Sequence, residues 1–90
     1  MADFFHDFDA EDATRMEELA RLIHEFRVSI DGLRQQYAVA TAAELLAKIK
    51  AGSVAEHPAY EHYLSLTILD EMRETVRAEM RDFLPRVKRL

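Results

Sequence analysis

Glu56-His57-Pro58-Ala59-Tyr60-Glu61-His62 is the best local candidate for chemistry in this chain. His57 and Glu61 are four residues apart and share a helix face, and His62 follows. Such a cluster could hold a divalent metal, with further ligands from a second subunit. A structural reading competes with it. His57-Pro58 marks a helix start, Glu61 suits the positive end of the helix dipole, and His62 is in phase with Leu66 and Leu69 as a partly buried seam residue. Closed metal sites usually take three or four ligands. Neither a Glu-x-x-His pair nor a His-Glu-x-x-His motif is present. The structural reading therefore takes precedence and no cofactor is expected. His24 falls off the apolar seam and reads as solvated; His6 belongs to the N-terminal segment.

Arg73, Arg77 and Arg81 form a ladder of like charge at i,i+4 spacing. It could grip a carboxylate, a phosphate or an acidic segment. It could also be a solvated face offset by Asp70, Glu74 and Asp82. Phe4, Phe5 and Phe8 stand among acids at the N-terminus. Aromatic side chains so placed either anchor in a partner's groove or fold back to complete the chain's own core. The tail from Pro85 to Leu90 is basic with interleaved apolar residues. Nucleophilic catalysis has no support: there is no Cys, and Ser29, Ser53 and Ser65 lack a base-and-orienter arrangement. There is no phosphate-binding Gly loop.

These residues must be positioned by a small chain. Ninety residues make one domain at most, and a chain so short leaves much of its surface in water. Without Cys it has no disulfide to compensate, and oligomerisation is the common remedy. The net charge of −5 lies wholly in residues 1–12, which carry Asp3, Asp7, Asp9, Glu11 and Asp12 and no Lys or Arg. The remainder balances, twelve acids against twelve bases. No continuous basic face exists, so nucleic-acid binding is not expected. No apolar run is long enough for a membrane span, and the N-terminus lacks the basic region of a secretory signal. A cytoplasmic location is the expectation.

The most regular pattern is a heptad seam: Met16, Leu19, Ile23, Phe26, Ile30, Leu33 and Tyr37 alternate three and four apart. It predicts a long helix from Ala10, capped by Asp9, to about residue 38, laying one face on another helix. Gly32 inside it suggests a close helix crossing or a kink. Thr41-Ala42-Ala43-Glu44 is a capping-box pattern, which starts a second, short helix over about 41–51 that Gly52 stops. The competing reading is one continuous helix to Ala51. Pro58 opens a third helix that runs to about residue 84, where Pro85 stops it. From Tyr60 to Met72 this third helix is apolar nearly all round, so two sides must be covered.

The order long helix, short helix, long helix, with Arg27-Val28-Ser29-Ile30-Asp31-Gly32-Leu33 in the first, resembles the small all-α chorismate mutases. That resemblance implies a dicarboxylate substrate fixed by several Arg and Lys residues. Here Arg27, Lys48 and Lys50 alone could stand in, and Tyr60 sits where a binding Arg is expected, so membership does not follow. The expectation is an all-α antiparallel helical hairpin assembling into a four-helix-type bundle. It divides into an acidic arm over 1–9, a helical domain over 10–84 and a basic tail over 85–90. Its expected role is a homo-oligomeric, non-enzymatic interaction module with a protein partner. Phe4, Phe5, Phe8, Arg73, Arg77 and Arg81 are its candidate contacts. A bundle binding metal or a small acidic ligand at His57, Glu61 and His62 is the alternative.

Overall fold

A computed structural model describes residues 10–88 of the chain. Its regular structure is all helical: α1 spans Ala10–Tyr37, α2 Ala42–Lys50 and α3 Glu56–Lys88. The expected Asp9 cap and the arm with Phe4, Phe5 and Phe8 lie outside the described residues.

α1 begins with Glu11 and Asp12 and carries Arg34 in its last turn, each complementing the helix dipole. Its seam turns inward. Leu19, Phe26 and Ile30 are buried, and Met16, Ile23, Leu33 and Tyr37 are half-buried. Gly32 is exposed, and a Cβ there would meet nothing within 4 Å. No close crossing therefore requires that glycine.

The chain breaks after Tyr37, as the capping pattern implied. Ala38 takes a left-handed conformation, φ 53°. The Ala38 N–H donates to the Gln35 carbonyl at 3.3 Å and the Val39 N–H to the Arg34 carbonyl at 3.0 Å. This is a Schellman closure with alanine where glycine is usual. Lys48 reaches over from α2, and its ammonium donates to the carbonyls of Tyr37 at 2.8 Å and Ala38 at 3.5 Å. A cation thus sits on the negative end of α1.

Thr41 caps α2, its hydroxyl accepting from the Glu44 N–H at 3.1 Å. The Glu44 carboxylate does not return to the Thr41 backbone; it accepts from the Thr41 hydroxyl at 3.5 Å. Only half of a capping box forms. α2 closes as α1 does, with Gly52 at φ 73° and the Ser53 N–H donating to the Lys48 carbonyl at 3.0 Å.

His57 has extended dihedrals, φ −113° and ψ 129°, and its bond to Pro58 is cis. Regular helix therefore starts at Pro58, where the missing N–H has no intrahelical role. The far end departs from expectation. α3 passes through Pro85 to Lys88, so proline does not stop it. A proline in a helix forfeits its own N–H bond and crowds the carbonyl four residues back, and here only three helical residues follow it.

α1 and α3 pair antiparallel. Arg15 near the start of α1 meets Glu79 late in α3, and Tyr37 at the end of α1 meets His62 early in α3. Phe26, Ile30 and Leu66 form the central core, joined by Leu22, Leu33, Ala42, Leu69 and Val76. Val39, Leu45 and Ala59 form a second core under α2, with Tyr37, Ile49, Val54 and Tyr63. Burying each large apolar side chain is worth about 1.5–3 kcal/mol. Among the described residues only seven hydrophobics are buried, which makes this a small core for so long a structure.

The shape shows why. The extents are 60 × 17 × 17 Å and the radius of gyration is 18.1 Å. A compact chain of this length has a radius of gyration of about 12 Å. One chain builds a two-helix pair with α2 packed at one end, and not a four-helix bundle.

Candidate functional site

Two of the three groups of side chains expected to act lie among the described residues, and the fold treats them differently; Phe4, Phe5 and Phe8 lie outside. At the start of α3, the His57 ring Nδ1 lies 2.7 Å from the Glu61 carboxylate, and both side chains are exposed. His62 points elsewhere. Its Nδ1 is 2.5 Å from the Tyr37 hydroxyl, and the two rings meet edge to face with centroids 5.5 Å apart. The three residues therefore do not converge. Among the described residues, no group of three or more His, Asp or Glu could hold a metal ion.

The arginine ladder divides as well. Arg73 is 24% exposed and turns toward α1, whereas Arg77 is 43% exposed and Arg81 lies in solvent. Arg77 approaches Glu74 at 3.9 Å, a long surface pair. Arg73 instead faces Arg34 across a cleft of about 170 Å³. Ile30, Leu66, Ala40, Thr41, Ala42 and Asp70 complete its lining. Each arginine is flanked by the aspartate three residues before it: Arg34 by Asp31 and Arg73 by Asp70, both at 3.4 Å. Each also has its Nε shielded from solvent with no protein acceptor in reach. Two guanidinium groups from two helices are thus under-coordinated at one place, where nearly all such buried donors are normally satisfied.

Arg34 was not among the residues singled out from the sequence. The available signal was its position, one residue after Leu33 and four after Ile30, which puts a charge at the edge of the buried face. A second, weaker signal was the spacing Asp-x-x-Arg, which occurs at Asp31–Arg34 and at Asp70–Arg73 but also at Asp12–Arg15. Lys48, which the chorismate mutase resemblance made an anion ligand, is engaged at the end of α1.

The third feature is apolar. Tyr60, Leu64, Ile68 and Met72 recur every four residues on the side of α3 away from Leu66, and all are exposed, Ile68 at 53%. Met72 leads into a groove between the long helices, lined by Leu22, Phe26, Val76, Thr75 and Glu71. The stripe and the groove form one continuous apolar surface. Near the groove's far end, the Arg15 Nε donates to Glu79 at 2.8 Å, and a second guanidinium nitrogen donates to the same oxygen. These hydrogen bonds hold the Arg15 pKa above its usual value.

A family model matches residues 13–87, from the first turns of α1 to the end of α3. The chain belongs to the uncharacterized protein MJ0235 family. The match spans the stripe, the groove and both cleft arginines, so each is part of the family domain. No curated protein and no solved structure matches the chain. No described helix is long and apolar enough to cross a membrane.

Proposed function

We propose that this chain is a non-enzymatic helical interaction module that works as a homo-oligomer, as an adaptor or regulatory subunit for a protein partner. The carrying observation is the outer stripe of α3. Tyr60, Leu64, Ile68 and Met72 offer about 18 Å of apolar ridge, at 1.5 Å per residue, on the face opposite the core. A single exposed Leu means nothing, but a contiguous stripe running into an apolar groove marks an interaction surface.

A second copy is the occupant this surface fits. The stripe reads the same in both directions, since a large apolar residue stands every four positions. Two α3 helices can therefore pair antiparallel with Leu64 of each beside Ile68 of the other. A ridge of i,i+4 residues packed on its like crosses at about −50°. Two hairpins joined this way bury the two stripes against each other in a second apolar layer between the α3 helices. The assembly supplies cover that the 60 × 17 × 17 Å chain lacks for itself.

Size-exclusion chromatography with light scattering tests this. The expected species at micromolar concentration is a dimer or a higher even oligomer. Ile68→Glu places a charge in the middle of the stripe and leaves the Leu66 core untouched. It should give a monomer with unchanged helical circular dichroism. A wild-type chain that runs as a stable monomer would end the proposal.

A further inference from the structure

The Arg34–Arg73 cleft has chemistry that self-association does not use. It opens on the core side of α3, away from the stripe, so pairing of two α3 helices leaves it accessible. We infer that it is a binding site for a small oxyanion, a carboxylate or a phosphate group, held between the two guanidinium groups.

Three features converge there. Each guanidinium offers five N–H donors in a planar fork that matches two oxygens of one anion. The aspartate beside each arginine uses one terminal nitrogen at 3.4 Å, and the other terminal nitrogen of each fork has no acceptor among the described residues. Donors therefore remain on both sides of the cleft. The third wall is the start of α2, with Thr41 and Ala42 lining the cavity. The amino end of a nine-residue helix adds positive potential to that wall.

Asp31 and Asp70 neutralise the pair overall, and this sets the kind of ligand. Bulk polyanions gain nothing from a neutral cluster. A small anion that reaches both forks gains directed, charge-assisted hydrogen bonds, which are about twice as strong as neutral ones. The aspartates hold the forks apart and in place before it arrives. The cavity of about 170 Å³ admits one such group and little more.

The probes are inorganic phosphate and malonate, titrated into the full chain against chloride at matched ionic strength. Proton–nitrogen correlation spectra report the arginine Nε–H signals directly. Saturable shifts of the Arg34 and Arg73 signals at millimolar anion are expected with at least one probe. Response to phosphate alone or malonate alone tells which source the site reads, and either supports it. Arg73→Gln should weaken binding about tenfold or more, in line with loss of a hydrogen-bonded charge. Arg73→Lys keeps the charge and loses the fork, so it should also weaken binding while preserving the fold. Arg77→Gln, outside the cleft, should leave binding unchanged. Shifts that match those in chloride, or an equal loss in Arg77→Gln, would overturn the inference. So would full binding by Arg73→Lys.

Discussion

Two exchanges between glycine and alanine, made in opposite directions, should both stabilise this protein. Ala38 closes α1 at φ 53°, a conformation that costs an L-residue about 1–2 kcal/mol. Its side chain is exposed, so Ala38→Gly removes that cost without emptying any packed space. The gain is reduced by the greater freedom of glycine in the unfolded chain, about 0.4–1 kcal/mol. The net expectation is about 0.5–1 kcal/mol of added stability. Gly32 stands mid-helix with open space where a Cβ would go. Gly32→Ala should therefore add about 0.8–1 kcal/mol from helix propensity alone. The two sites share no packing, so the double variant should gain nearly the sum. In a domain of this size each kcal/mol raises Tm by about 4–8 °C. Gly52→Ala is the internal control. Gly52 has φ 73° and equally open space, so the same chemical change there should destabilise. Urea unfolding at one fixed protein concentration measures all four variants, because self-association would make stability concentration-dependent. Loss of stability in Ala38→Gly at an unchanged slope would refute the left-handed closure of α1. A gain in Gly52→Ala would refute the corresponding closure of α2.

Two further substitutions probe what holds the helices together. Leu66 is 1% exposed and lies between Phe26 and Ile30, so Leu66→Ala should cost about 2–5 kcal/mol and broaden or abolish the thermal transition; a Tm within a degree of wild type would show that this core does not carry the fold. Lys48→Met keeps the length of the side chain but removes the cation from the carbonyls of Tyr37 and Ala38. It should cost about 1 kcal/mol in urea unfolding, and an unchanged midpoint would mean that water serves those carbonyls equally well.

What could be read from the sequence was whatever depends on local geometry. The seam from Met16 to Tyr37 follows from helical period, and every member is buried or half-buried. Thr41 and Gly52 bracket α2 because caps are decided within four residues. Two of the three failures share a cause. Gly32 suggested a close crossing or a kink, but what surrounds it depends on where α3 lies. Pro85 suggested a stop, yet the helix continues three residues past it. Arg73 was grouped with Arg77 and Arg81 by spacing along one helix. Its actual companion, Arg34, is on another helix, and only the pairing of α1 with α3 brings them together.

The same helix explains why the small core and the exposed stripe belong together. On α3 the residues facing α1 and α2 include Ala59, His62, Leu66, Leu69, Arg73 and Val76. Those facing away begin with Tyr60, Leu64, Ile68 and Met72. A helix that only needed to cover α1 would carry charged residues on its outer face, as α1 does with Arg21, Glu25 and Arg27. Apolar residues there give the lone chain nothing and invite aggregation. Paired with a second copy they become core, at about 1.5–3 kcal/mol for each large side chain fully buried. Stability and assembly should then rise together with concentration. Wild-type Tm should climb as protein is raised from micromolar to hundreds of micromolar, and Ile68→Glu should show no such climb. If both proteins melt at one temperature throughout that range, the outer stripe is not an assembly surface, and the seven hydrophobics buried among the described residues must hold the fold without it.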